Sequence, residues 1–204
     1  MERVGILGGT FDPIHLGHTG IARAVWAFLG LSRVDFLPAG QPPHKRAIGA
    51  SPAQRLEMVR LATEGLPFAR VNDMEIRREG MIYTFDSLRA YKALEPEAEL
   101  HYIIGMDTLL QLPSWWRHEE VYPLCAFAVV GRRGQAEGPA LKLAGRLREE
   151  YAARIEIMPF AGAEISSTEL RTILRARGDT SGLLDEKLRA YIEKEGLYLG
   201  EDAE

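Results

Sequence analysis

Short apolar runs that close on glycine or proline alternate with helical segments along the whole chain, and this alternation limits the fold more than any other feature. "RVGILG" (3–8) is brief, apolar and ended by glycine, as expected of a strand buried on both faces. From about Gly17, "GHTGIARAVWAFLG" sets Ile21, Val25, Phe28 and Leu29 at helical spacing and stops at Gly30. "RVDFLPAG", "FARVND", "ELHYIIG", "CAFAVVG" and "RIEIMP" supply the later strands. Helices fall between them. "SPAQRLEMVRLATEG" has Ser51 as cap and Pro52 at the first helical position. "TFDSLRAYKALEP" stops before Pro96. "PALKLAGRLREEYAA" follows, then the closing pair "SSTELRTILRARG" and "LDEKLRAYIEKEG". Such alternation predicts an α/β fold, a doubly wound parallel sheet with helices on both faces. Segments 38–50 and 132–138, rich in proline and glycine, read as loops.

Charge and cysteine usage exclude several function classes. The formal net charge is -4, so no global basic field points to nucleic acid, and an anionic ligand needs local positive charge. Cys125 is the single cysteine and lies inside "CAFAVV", which leaves no disulfide framework and no thiolate metal site. A buried, inert thiol is expected there. The first residues lack the apolar core of a signal peptide, and no apolar run is long enough to span a bilayer. A cytoplasmic protein without a membrane partner is therefore expected.

In doubly wound sheets ligands bind beyond the carboxyl ends of the strands, so chemistry is sought just after each strand. The first strand is followed by "GGTFDPIHLGH". It is neither the spaced-glycine dinucleotide turn nor a P-loop. Its glycines still let backbone approach a ligand, and the helix beyond offers N–H groups and a positive dipole end. His15 and His18 stand three apart, able to face one ligand. Two histidines at this spacing are half a zinc site, with no intervening Glu and no third ligand nearby. A metal site, a catalytic dyad, an anion cradle and a plain capping pair are all open on these residues alone. After the second strand, "PAGQPPHKR" is a proline-stiffened loop carrying His44, Lys45 and Arg46. After the fourth, "GMDTLLQLPSWW" puts Gly105 and Asp107 where such folds hold a ribose hydroxyl. Trp115 and Trp116 follow, one expected to stack on a planar base and the other to pack. After the sixth, Ser166 and Glu169 have capping-box spacing, with Thr168 and Arg171 one turn apart on one face. Helix N–H groups, hydroxyls and a guanidinium together suit a phosphate, although an ordinary cap with a surface arginine has the same pattern.

"HLGH" (15–18) resembles the H-x-G-H signature of a nucleotidyltransferase superfamily, and "ISSTELR" (165–171) resembles its I-S-S-T-x-x-R signature. With "GGTFDPIHLGH", "PPHK", "YTFDSL" and "IIGMDTLLQLPSW" in this order, nearly the whole chain resembles the bacterial nicotinate-nucleotide adenylyltransferases. "GRRG" (131–134) departs from the family's R-P-G, with Arg132 matching the family arginine. The resemblance implies a Rossmann-like fold and a single nucleotidyltransferase domain, 1–204, on which the helices from about residue 167 pack. It implies transfer of the adenylyl group of ATP to nicotinate mononucleotide, with His15, His18, Lys45 and Arg171 catalytic. Gly8, Gly9, Thr10, Phe11, Gly105, Asp107, Ile165, Ser166, Ser167 and Thr168 would complete the ATP site with both histidines and Arg171. Lys45, Thr84, Trp115 and Arg132 would bind nicotinate mononucleotide. Mg²⁺ would arrive with ATP, held through substrate phosphates. Small-molecule substrates are the implied partners, and a homo-oligomer is allowed for. Pantetheine-phosphate adenylyltransferases are shorter and lack "PPHK" and "LPSW". A non-catalytic nucleotide-binding regulator on the same fold is the other alternative, against which both intact signatures count.

Overall fold

The computed structural model describes residues 2–41, 49–132, 137–160 and 165–199. Six strands, β1 (Arg3–Gly9), β2 (Arg33–Pro38), β3 (Ala69–Val71), β4 (Glu99–Gly105), β5 (Ala126–Arg132) and β6 (Arg154–Phe160), form one sheet. All pairings are parallel and the spatial order is β3-β2-β1-β4-β5-β6. This is the order of the Rossmann-like doubly wound fold, so the expected architecture is met. The helices are α1 (Leu16–Leu29), α2 (Pro52–Thr63), α3 (Thr84–Leu94), α4 (Met106–Gln111), α5 (His118–Val121), α6 (Glu137–Tyr151), α7 (Ser167–Arg175) and α8 (Glu186–Lys194).

The two-residue period of the strands sends alternate side chains into two cores. On one face Leu7, Phe36, Ile103, Ala128 and Val130 pack with Val25 of α1, Met58 of α2, Leu170 of α7 and Leu188 of α8. On the other, Val4, Ile6, Leu100, Tyr102, Phe127 and Val129 pack with Leu88 of α3, Leu109 of α4 and Leu147 of α6. Both faces are covered, which is why the strands read as continuous apolar runs. Cys125 is fully buried beside β5, and burial pushes its thiol up to about 12, so it is the inert group expected.

Two short helices were not legible in the sequence. No helix is expected within "GMDTLLQLPSWW", yet it holds α4 and a 3₁₀ turn at Leu112–Ser114, with α5 just beyond. Segments this short do not complete a hydrophobic period. Their helical form comes from Met106, Leu109 and Leu112 seating in the second core. The loop expected over 132–138 is also shorter than read, because α6 already runs from Glu137.

Sheet register opens a cleft at the switch point. β1 pairs with β4 only as far as Ile6 opposite Tyr102. Beyond that, β1 follows β2 to Gly9 opposite Pro38, while β4 follows β5 to Gly105 opposite Val130. The central strands part at their carboxyl ends, where this fold binds ligands.

Candidate active site

The "GGTFDPIHLGH" stretch spans the parting. Phe11 has φ 51, a left-handed conformation that costs a non-glycine residue about 1 kcal/mol. Burial to 2% exposure fixes it there, edge-on to the His18 ring at 5.1 Å and tilted against Phe36 at 6.2 Å. His15 caps α1, is 6% exposed, and its ring lies 3.8 Å from that of His18. The His15 backbone N–H donates to His18 Nδ1 at 3.2 Å. An accepting Nδ1 leaves the other ring nitrogen, Nε2, to carry the proton of neutral His18, which makes that edge a donor.

α7 is tied to the same stretch. Its N-terminus closes the expected capping box: Ser166 Oγ accepts from Glu169 N–H at 3.1 Å, and Glu169 accepts from Ser166 N–H at 2.8 Å. Ser167 Oγ donates to the Pro13 carbonyl at 3.0 Å, and Arg171 donates to the Asp12 carbonyl at 2.6 Å and to Thr168 Oγ1 at 3.3 Å. Chain ends more than 150 residues apart in sequence thus form one cluster of two imidazoles, a guanidinium and the N-terminus of a nine-residue helix. Its donors and positive charge suit a polyphosphate. The serine hydroxyls differ from expectation: Ser166 and Ser167 spend them on Glu169 and Pro13. The helix N–H groups are the better candidates for ligand contact. Ile165 packs its side chain against the first core and so brings only backbone to the cluster.

The second half of the site is a cavity of about 410 Å³, lined by Gly8, Gly9, Glu75, Tyr83, Thr84, Tyr102, Trp115 and Trp116 among others. Thr84 opens α3, and its hydroxyl engages the Tyr102 phenol. The two tryptophans differ in burial: Trp115 packs against the second core from the cavity side, and Trp116 lies outside it. Trp115 is half-buried and edge-on to Tyr102 at 6.0 Å and Phe127 at 6.5 Å. Trp116 is 47% exposed and lies 4.9 Å from Tyr83. Gly8 is required by close approach, since a Cβ there would collide with the Tyr102 hydroxyl.

Gly105 caps α4 at the end of β4, and Asp107 lies exposed in its first turn. Thr10 offers its carbonyl to Arg55 at 2.7 Å. Lys45 lies outside the described residues, as does the Arg132 side chain, although the Arg132 backbone ends β5.

Several supporting residues escaped the sequence reading. Arg55, 0% exposed, bridges the Thr10 carbonyl and, at 2.9 Å, the Gly40 carbonyl, so it clamps the turns after β1 and β2 together. Burial lowers its pKa, opposed by Asp12 and Tyr198. Asp12, 3% exposed, accepts from Gly49 N–H at 2.8 Å, Ala50 N–H at 3.0 Å and Tyr198 Oη at 2.7 Å. Helical spacing from Val59 puts Arg55 on the buried face of α2, a signal the sequence did carry. Nothing local marks Tyr198, which reaches Asp12 from beyond the last helix.

The Cytidylyltransferase-like family profile matches residues 6–173. A Gloeobacter violaceus protein named probable nicotinate-nucleotide adenylyltransferase is 41% identical over 199 residues, 97% of this chain and 96% of that protein. A Dehalococcoides mccartyi protein of the same name is 41% identical over 198 residues, 96% of this chain and 97% of its own length. Among solved structures, Plasmodium falciparum nicotinic acid mononucleotide adenylyltransferase complexed with NaAD superposes with a TM-score of 0.80. It is 19% identical, with 97% of this chain and 98% of that one covered, a likeness of fold.

Proposed function

The chain belongs to the cytidylyltransferase-like family and, within it, to the nicotinate-nucleotide adenylyltransferases, and on that footing we propose that its site joins ATP to nicotinate mononucleotide. The products are nicotinate adenine dinucleotide and pyrophosphate, the adenylation step of NAD synthesis. One observation carries the residue assignments. Gly8 and Gly9 line the aromatic-walled cavity where β1 and β4 part, and Phe11, which packs on Gly9, lies edge-on to His18 of the donor cluster.

The nucleophile is a phosphate monoester oxygen. Its second pKa is about 6, so it arrives ionised and needs no general base. Catalysis then consists of positioning and charge stabilisation. His18, its Nδ1 taken by the His15 N–H, donates from Nε2 to the phosphate oxygens on which charge grows. His15, Arg171 and the N-terminus of α7 hold the rest of the triphosphate, and Lys45 joins them from the stretch after β2. Gly8, Gly9, Thr10 and Phe11 shape backbone around the nucleotide, and Gly105, Asp107 and the Ile165–Thr168 segment complete its site. Trp115 stacks on the pyridine ring, the N-terminus of α3 at Thr84 receives the ring carboxylate, and Arg132 serves the mononucleotide phosphate.

Mg²⁺ enters as part of the ATP substrate. The donor set fits that reading, since imidazoles, a guanidinium and helix N–H groups contact phosphates rather than a hard cation. Among the described residues no three His, Cys, Asp or Glu side chains stand close enough to hold a metal. A single working domain over 1–204 and a cytoplasmic site of action belong to the same proposal. In their support, α7 and α8 share the core of α1 and α2, and among the described residues no helix is long and apolar enough to cross a membrane.

The test is pyrophosphate release from ATP and Mg²⁺ with nicotinate mononucleotide, nicotinamide mononucleotide or phosphopantetheine in turn. Release is expected with the first above the others. No release with the first sinks the proposal, and release with phosphopantetheine alone transfers the chain to the pantetheine-phosphate enzymes.

A further inference from the structure

The cavity wall contains an acid that the reaction above does not use. Glu75 lies between β3 and α3, is 9% exposed, and faces the cavity beside Tyr102, Thr84 and Trp115. Its place is built by its neighbours. Ser87 Oγ of α3 donates to Oε1 at 2.5 Å, and Gly40 backbone donates from the turn after β2. Gly40 packs so closely that a Cβ there would collide with the Glu75 carbonyl oxygen. A cavity offered to a ring bearing a carboxylate thus carries a fixed carboxyl group of its own. Resting on the reading of this cavity as the seat of the pyridine ring, we propose that Glu75 is a selectivity residue that ties the preference between acid and amide ring substituents to pH.

The two mononucleotides differ by one unit of negative charge on the ring substituent. When Glu75 is ionised it repels the acid and not the amide. When it is protonated the repulsion is absent and its O–H is a donor. Burial pushes the Glu75 carboxyl up to about 7, with Ser87, Arg78 and the Gly40 N–H opposing that rise and Asp86 adding to it. From β4 the Tyr102 phenol also faces it, itself kept neutral by burial. The Thr84 hydroxyl carries no charge. The switch therefore falls in the neutral range, where the ring acid, with an ordinary carboxyl pKa near ~4, stays ionised throughout. Within so small a space one unit charge changes the acid-to-amide preference by about tenfold.

The experiment compares kcat/KM for nicotinate and nicotinamide mononucleotides, with Mg²⁺ and ATP, from about pH 6 to about pH 8.5. Both share the phosphate monoester, so its titration cancels in the ratio. The acid-to-amide ratio is expected to fall about tenfold across neutral pH. Glu75→Gln should give a ratio flat with pH and held near the low-pH value. Ser87→Ala, which loses a donor to the ionised form, should move the midpoint to higher pH. A pH-independent wild-type ratio, or an unchanged slope in Glu75→Gln, overturns the inference. Should Glu75→Gln fail to fold, the wild-type profile and the Ser87→Ala midpoint decide it. Turnover of neither mononucleotide removes the proposed function and this inference with it. Turnover with a flat ratio removes the inference alone.

Discussion

At the scale of single residues the site separates groups that act on charge from groups that hold shape. In the proposed reaction His18 serves the reacting phosphates from Nε2, its Nδ1 being taken by the His15 N–H. His18→Ala is expected to lower kcat by about 10²-fold or more while ATP binding changes little, the mark of a lost transition-state donor. Equal losses in kcat and in ATP binding would contradict that role. Trp115 is proposed to stack on the pyridine ring in the ground state as well, so Trp115→Ala is expected to raise KM for the mononucleotide and leave KM for ATP nearly unchanged. Gly8 holds shape by carrying no side chain. Gly8→Ala should therefore lose activity through its clash with the Tyr102 hydroxyl, and adding Tyr102→Phe should restore part of it. If the double variant is no better than the single one, the clash is not the cause. The histidines, Thr84, Trp115 and Arg171 were all visible in the sequence because their spacing and position after strands are local. Glu75 and Tyr198 were not, because each acts through partners remote in the chain, and for Arg55 helical spacing could mark its burial but not the distant carbonyls it clamps.

Elements bring the two signatures together. α7 places Arg171 only because its first turn is capped by Ser166 and pinned by Ser167 to Pro13. Ser166→Ala is expected to cost about 1 kcal/mol of stability. The frayed turn should raise KM for ATP more than KM for the mononucleotide, measurable in one pair of saturation curves. The capping box itself was legible, as S-x-x-E is a local rule. The bond it prepares to the turn after β1 was not. α4 and α5 show the opposite case. They are too short for periodicity to reveal, and burial of Leu109, Leu112 and Val121 makes them helical. Through them Trp115 and Trp116 are set on the cavity rim.

Across the whole molecule, binding and stability occupy opposite ends of the sheet. Toward the amino ends of β2 and β3, Asp35 is fully buried and accepts from Arg33 at 3.0 Å and from Arg70 at 2.6 Å. Loss of the Asp35 carboxylate leaves Arg33 and Arg70 still paired with Glu95 and Arg70 part-exposed, so it costs less than stranding a wholly buried charge, about 1–3 kcal/mol. Asp35→Ala is thus expected to lower the denaturation midpoint while leaving KM for both substrates near wild type in the folded fraction. His101 of β4 is 1% exposed, with Nε2 3.6 Å from Glu99. Burial lowers its pKa below the usual 6.5, so the fold holds it neutral. Its contribution is full above about 6.5 and is lost as pH falls, because the unfolded chain takes the proton first. Urea midpoints should drop on acidification, and drop less in His101→Leu. The alternation of apolar runs and helical segments determined the sheet, its parallel sense and the order of elements, because buried strands and amphipathic helices are specified by local period. The two signatures implied the reaction class through their resemblance to a known family, since spacing alone left a metal site, a dyad, an anion cradle and a capping pair open. Only the tertiary structure decided where β1 and β4 part, which acid lies in the cavity wall and which distant side chains clamp the turns, because those facts depend on which strand ends meet after the sheet has twisted and packed.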